Sequence, residues 1–380
     1  MTGDIRRGVV LVDLLAISVA MALGGSLLVP ILQQARMSAR DARNMSQMSQ
    51  AGRAVVSYSV EYQDRIATFS WRAGNPQGAH TIYEDLRRQS TNATAAEAAS
   101  AQAIDILRRR VMREDLAPVR DWLPHVNAWP LVLTDYLASR LPDEMFVSPY
   151  DVHRLAWQEQ AGRRFDAGAF APHQPEPSPA NAVMPFSSSY SFTTSGFDFA
   201  GSSRTLPPGS RLRLGEGWDR YVVPSTARLG DLRYHQVQFP SGKAMFVDTF
   251  DRSKPRWSMH SDPQATVMMT QYDGSVMRRP GGEVNPGWDP WRPETDATTV
   301  MRFSPRPWEG VHAEGEAREQ FLRGGVMWTR GGLQGVDIDH AEARTGQPGV
   351  RAGAHADGRS LEEFLAGARG VANVQGAVAR

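Results

Sequence analysis

Cysteine is absent from the 380 residues, which excludes disulfides, thiolate metal sites and a cysteine nucleophile. A domain of this kind is held together by packing alone. Lysine is nearly absent too. Of 42 basic residues only Lys243 and Lys254 are lysines, and with the Ala and Gly content that skew reads as GC-rich coding rather than a need for guanidinium. Neither sign of charge is in excess, at 42 basic against 41 acidic side chains, so the chain is neither a polyelectrolyte nor a general nucleic-acid binder. The familiar catalytic signatures are also missing. Ser188, Ser195 and Ser210 have no G-x-S-x-G context, no H-E-x-x-H occurs, and GGLQG at 331–335 lacks the lysine and spacing of a phosphate loop. Asp337, Asp339 and His340 look metal-like but bring no further ligands at defined spacing. His260 with Asp262 could form an acid–base pair, although a single His before a strand is more often a capping or core hydrogen bonder. The chain is therefore expected to be no enzyme and to need no metal or cofactor.

What is present begins at the N-terminus. Residues 9–29 run VVLVDLLAISVAMALGGSLLV with Asp13 as the one charge. About 20 apolar or small residues match a hydrocarbon core of roughly 30 Å. A carboxylate at that depth costs about 2.5–3.5 kcal/mol and needs a partner. Cutting after Gly8, behind Arg6 and Arg7, would leave Val9 with a free α-amine and make Asp13 the fifth mature residue. That amine would be largely protonated near neutral pH and would pair with the carboxylate of a neighbouring subunit. An uncleaved signal anchor, or a signal peptide cut near Ala22 to Gly24, fits less well, because Asp13 sits badly in a signal-peptide core and the apolar run continues through Leu27, Leu28 and Ile31.

Gly8 before the cut, Asp13 at the fifth mature position and Pro30 at the twenty-second make the segment resemble the prepilin signal of type IV pilins and type II secretion pseudopilins. Asp13 stands where Glu is commoner, and Val9 where Phe or Met is. The resemblance implies cleavage by a prepilin peptidase, methylation of Val9, and subunit register set by Asp13, with Pro30 bending the helix. It also places the protein in the inner membrane as a single-pass chain, N-terminus in the cytoplasm and globular part in the periplasm or at the cell surface. The charge pattern alone is ambiguous on that topology, since Arg36, Arg40, Arg43 and Arg53 follow the segment.

After Pro30 a small or apolar stripe recurs at three and four residues: Ile31, Ala35, Ser38, Ala42, Met45, Met48, Gly52, Val55, Ser59, Tyr62. It predicts one helix from Val9 to about Tyr62, roughly 80 Å long. Further helices are expected at 80–89, 95–115 and 131–140, and APHQPEPSP at 171–179 as a linker or loop. Strands are expected at 188–194, 211–214, 220–223, 234–239, 243–250 and 265–272. Asp273-Gly274 between MMTQY and SVMRR predicts a tight hairpin, a turn in which both central residues can take positive φ.

That hairpin extends the resemblance to bacterial pseudopilin-like proteins with a prepilin-type cleavage and methylation domain, which end their globular region with a His, a strand, Asp-Gly and another strand. Here His260 precedes Asp273-Gly274 by twelve intervening residues, slightly more than is usual in that group. LPDEMFVSPYD at 141–151, FPSGKAMFVD at 239–248 and MWTRGGLQGVD at 327–337 are similar to blocks of one subgroup.

The expected fold class is α+β: a long N-terminal helix, transmembrane in its first half, packed on a globular domain in which helices precede an antiparallel β-rich region. Its expected parts are a leader at 1–8, the membrane span at 9–29 and the helix continuation at 30–64. A helical region at 65–170 follows, then a Pro-rich linker at 171–180, a β-rich region at 181–340 and a loose tail at 341–380. The expected function is a pseudopilin-like or minor-pilin-like structural subunit. Its expected partners are the prepilin peptidase, the bilayer and other pilin-like subunits or itself, with no nucleic acid. The alternative is a tethered glycan- or peptide-binding module using Trp288 and Trp291 in GWDPW as an aromatic platform, although core and loop-anchoring tryptophans are commoner.

Overall fold

The computed structural model describes residues 3–74, 81–91, 94–120, 122–137, 141, 143–159, 183–202, 207–215, 220–253, 258–293, 298–303, 320–338, 341–342 and 350–351. The expected linker at 171–180 and most of the expected tail lie outside these residues, as do Asp339 and His340.

Helix α1 (Gly3–Glu61) is one continuous element with Pro30 inside it. Proline removes one ladder hydrogen bond, and the helix nonetheless runs through it. Helices α2 (Glu84–Thr91) and α3 (Ala95–Val111) follow. α3 starts where Thr94 and Glu97 form a reciprocal capping box and stops where Met112 turns left-handed. Arg108 ties the pair together by bonding both carboxylate oxygens of Asp85 at 2.9 and 2.6 Å while lying over the Tyr83 ring. Of the expected 131–140 helix, the structure forms a 3₁₀ turn at Trp129–Leu133 and the short α4 (Thr134–Leu137). α5 (Val152–Glu159) was not anticipated.

The strands are β1 (Tyr190–Phe192), β2 (Arg213–Leu214), β3 (Tyr221–Val222), β4 (Ala244–Asp248), β5 (Phe250–Asp251), β6 (Ser258–Met259), β7 (Thr266–Gln271), β8 (Val276–Pro280), β9 (Val300–Phe303) and β10 (Gln320–Arg323). β11 (Ala341–Glu342) and β12 (Val350–Arg351) add a last short pair within the expected tail. β1, β4, β7 and β8 form an antiparallel sheet in that order, so a mixed helical and antiparallel architecture is present as expected. The expected strand at 234–239 is instead a 3₁₀ turn, Tyr234–Gln236. There the Gln236 side chain accepts from the Arg233 N–H and Asp64 O from the Tyr234 N–H, taking up donors a sheet ladder would need.

Helix and sheet share one core. Met48, Ala51 and Val55 of α1 join Tyr190, Phe246, Met269 and Trp129, all buried. The predicted stripe is therefore buried only in part. Met48, Gly52, Val55 and Ser59 face the sheet, whereas Ile31 is 61% and Met45 37% exposed.

Among the described residues no helix is long and apolar enough to cross a membrane. That finding overturns the single-pass inner-membrane localisation and, with it, the transmembrane reading of 9–29. The physical reason lies in α1 itself. Asp13, Ser18 and Ser26 interrupt the span, the Ser18 hydroxyl bonds back to Leu14 O at 2.8 Å, and Gln33, Gln34 and Arg36 follow within two turns of Pro30.

Gly52 marks the closest approach of α1 to the sheet, since a Cβ there would lie 2.6 Å from Thr270 Cγ2 on β7. Gly52→Val is expected to lower stability by about 1–3 kcal/mol through overpacking, read from denaturant midpoints; an unchanged midpoint would refute the close packing.

Candidate functional site

The joint where α1 enters the globular part is built from polar groups. Tyr150 donates to Asp41 Oδ1 at 2.7 Å, and Arg278 of β8 pairs with Asp41 Oδ2 at 2.8 Å. One turn further, Asn44 is 2% exposed. Its Nδ2 donates to Asp248 Oδ2 at 3.0 Å, and its Oδ1 accepts from the Tyr190 hydroxyl at 2.8 Å. Asp248 in turn holds Arg252 at 2.6 Å, and Arg252 reaches Asp151 at 3.2 Å. Asp151 also accepts from Arg154 at 3.1 Å and from Ser189 at 2.8 Å. The chain of contacts thus runs from helix to sheet to the 151 loop without a break.

The two carboxylates respond oppositely. Burial alone would raise Asp151, but the charges of Arg252 and Arg154 and the bonds from Ser189 and Arg154 overcome it and hold it at about 2. For Asp248 burial wins over Arg252 and Asn44, and its carboxyl is raised.

Beside this cluster lies a cavity of about 250 Å³ between the helical and β-rich regions. Trp122, Leu123, Tyr221, Met301 and Trp328 supply its apolar wall, and Asn127, Thr249, Arg154, Arg252 and His260 its polar one. Both guanidinium groups are bound to Asp151. His260 is buried and lowered by that burial to about 4, against the raising effect of the Thr249 and Gly324 backbone. Its Nδ1 lies 3.3 Å from Thr249 O, and its backbone N–H donates to the same carbonyl. Asp262 accepts from the Gln264 N–H, and His260 is the core hydrogen bonder that the sequence favoured over an acid–base pair. The arrangement pins the β4–β5 junction and assembles no acid–base pair.

Asp273-Gly274 lies at the other end of β7 from His260, roughly 20 Å away at about 3.3 Å per residue. The hairpin is as expected, but of its two central residues only Gly274 takes positive φ, 81°. Asp273 spends its carboxylate on the Ser275 N–H and hydroxyl at 2.9 and 2.6 Å. The turn abuts α1, with Gly274 Cα 3.6 Å from a Cβ built on Gly52.

The aromatic platform is not formed. Trp288 is 5% exposed beneath Arg211, and Trp291 lies under Arg213, 4.1 Å from its ring centroid, while donating to Arg211 O. The GGLQG glycines make a turn, with Gly331 and Gly332 at φ 83° and 58°. Asp337 is buried against Lys243, and no group of metal-ligating side chains occurs among the described residues.

Gly8 and Val9 lie in the first turns of α1. Asp13 and Pro30 are exposed, and so is every described side chain of α1 from 13 to 40. Leu14, Leu15, Ile17, Val19 and Met21 are 51–68% exposed, so these side chains form an arm that the described residues do not bury. Sequence reasoning found the arm and missed the joint. Asn44, four residues before Met48 and so on the same helix face, was the available signal.

No protein-family model, no curated protein and no solved structure matches the chain.

Asn44→Ala leaves Asp248 and Tyr190 short of partners and is expected to cost about 2–4 kcal/mol, read from denaturant unfolding; a loss below the error of the midpoint would refute the joint. A pH effect follows from two buried histidines, His260 at about 4 and His125 lowered by burial to about 3. Unfolded histidine titrates near 6.5, so the unfolded chain takes up protons first, and stability present above that pH is lost as pH falls from roughly 6.5 to 4, on the order of 3 kcal/mol per histidine. His125→Phe keeps the stack on Phe197 and is expected to flatten the pH dependence of melting in that window; an unaltered slope would exclude His125 as a source.

Proposed function

We propose that the chain is a pseudopilin-like structural subunit that assembles with further copies or similar subunits through the exposed arm of α1. The observation that carries this reading is the bare apolar surface of the arm, with the exposed Asp13 beside it.

At about 100° per residue, Leu14, Leu15, Ile17, Val19 and Met21 cover more than half of the helix circumference. A two-helix seam would leave much of that surface in water. Val29, Ile31 and Leu32 extend it at 54–61% exposure. Burying these eight half-exposed side chains contributes on the order of 10 kcal/mol. Association costs about 4–15 kcal/mol, so one helix pair is marginal and several neighbouring helices suffice. Asp13 then needs a cation inside the bundle. A cut after Gly8 supplies one as the α-amine of Val9 on a neighbour.

The glycan- or peptide-binding alternative finds no support in the buried Trp288. With no native cysteine, Ile17→Cys gives a clean cross-linking probe. The expected result, in cells that also hold a prepilin peptidase, is a ladder of multimers that Asp13→Ala reduces about tenfold or more, the loss of one buried ion pair. The same preparation should begin at Val9, and Gly8→Phe should retain the leader. Uncross-linked monomer throughout would sink the assembly reading.

A further inference from the structure

Lys243 is one of two lysines in a chain with 42 basic residues, and it is 0% exposed. Where the fold buries a cation elsewhere it uses arginine, as at Arg108 and Arg252. A coding preference explains the arginines and leaves this lysine standing out. The two side chains differ in one property that matters inside a protein: a guanidinium stays protonated, whereas an amine can give up its proton and become a nucleophile.

The surroundings of Lys243 fit that property. Its Nζ donates to Asp337 Oδ2 at 2.7 Å and to Thr329 Oγ1 at 2.5 Å. Asp337 is also 0% exposed, and its other oxygen accepts from Asn285 Nδ2 at 2.9 Å. Thr329 Oγ1 touches the same Asn285 nitrogen at 3.4 Å. Amine and carboxamide therefore share both the carboxylate and the hydroxyl. Asn285 Oδ1 accepts from the Gly287 N–H at 2.9 Å, a donor placed where negative charge would develop on attack. Backbone bonds fix the partners, from the Asn285 N–H to Asp337 O, from the Asp337 N–H to Gly242 O, and from the Ala244 N–H to Asp337 Oδ2. Val284, Trp328 and Leu333 are buried nearby in sequence, and Asn285 itself is 1% exposed.

From this geometry we infer that Lys243 and Asn285 join in an intramolecular amide bond, with Asp337 as the proton carrier. Asp337 takes a proton from the Lys243 ammonium across their 2.7 Å contact. The freed Nζ lone pair attacks Cγ of Asn285, forming the Nζ–Cγ bond and placing the carbonyl electrons on Oδ1 beside the Gly287 N–H. Asp337 returns its proton to Nδ2, the Cγ–Nδ2 bond breaks, and ammonia leaves. The remaining Nζ proton passes to the carboxylate or with the leaving ammonia to solvent, so the sum is amine plus carboxamide giving secondary amide plus ammonia. No oxidant or cofactor enters. An ion pair alone would account for Lys243 and Asp337, but not for a carboxamide held on the second oxygen with its carbonyl already bonded.

The bond would staple the start of β4 to the segment after β8, in a chain that has no disulfide to do so. The test is the mass of the intact purified protein, together with a proteolytic digest. The expected result is a chain lighter by one ammonia than its sequence, a digest peptide joining the Lys243 and Asn285 segments, and no cleavage at Lys243. Asp337→Asn, similar in shape but unable to carry the proton, should lower the joined peptide about tenfold or more. Lys243→Arg should lack it entirely. A wild-type digest with separate Lys243 and Asn285 peptides overturns the proposal, as does loss of one water with Lys243 joined to Asp337. Full joining in Asp337→Asn overturns the role of the carboxylate.

Discussion

The structure hangs on a buried relay of charge in which Asn44 of α1, Tyr190 of β1, Asp248 of β4, Arg252 and Asp151 are bonded in series. Taking the carboxylates of Asp248 and Asp151 and the guanidinium of Arg252 out of water costs several kcal/mol per ion unless each finds partners. Here each does, and the condition is geometric. The relay closes only when α1 lies at one height and one rotation on the sheet. Apolar contacts at Met48 and Val55 would tolerate a slip of a turn, and Asn44 would not. The register of the longest helix is thus set by polar groups within an apolar contact.

From that register the division of α1 follows. Below the joint, Gly52 lets the helix pass within van der Waals contact of Thr270 and the Gly274 turn. Above it, Asp41 is held by Tyr150 and Arg278 at the rim, where Tyr150 also donates to Met37 O at 2.9 Å, and every described side chain from 13 to 40 is exposed. The arm therefore stands clear with its apolar side chains uncovered, and its stability beyond the joint depends on helix propensity until other helices cover it. The pseudopilin-like reading rests on this division.

The buried networks at Asp151 and Asp337 use opposite chemistry for similar positions. Asp151 is surrounded by guanidinium groups that keep it ionised, at about 2. Asp337 instead faces the Lys243 amine and the Asn285 carboxamide, one on each oxygen. The first is a fixed brace, and the second has the composition of a reactive site.

Much of the fold was legible in the residues. The single helix through Pro30, α3 and the Asp273-Gly274 hairpin followed from periodicity and turn chemistry, which act over a few residues. The strand expected at 234–239 failed because Asp64, far off in sequence, captured its backbone donors. The span at 9–29 read as a membrane helix on the composition of one segment, whereas no described helix meets the length and apolarity required. Trp288 and Trp291, an alternative platform by sequence, lie under Arg211 and Arg213. The sequence by itself determined the helix, the hairpin, the absence of thiol chemistry and the isolation of Asp13. Only the tertiary structure decided which half of α1 is buried, that Asn44 meets Asp248 across 204 residues and that Lys243 meets Asp337 across 94. Local pattern governs neighbours along the chain, while the partner of a buried charge is chosen by packing that brings distant segments together.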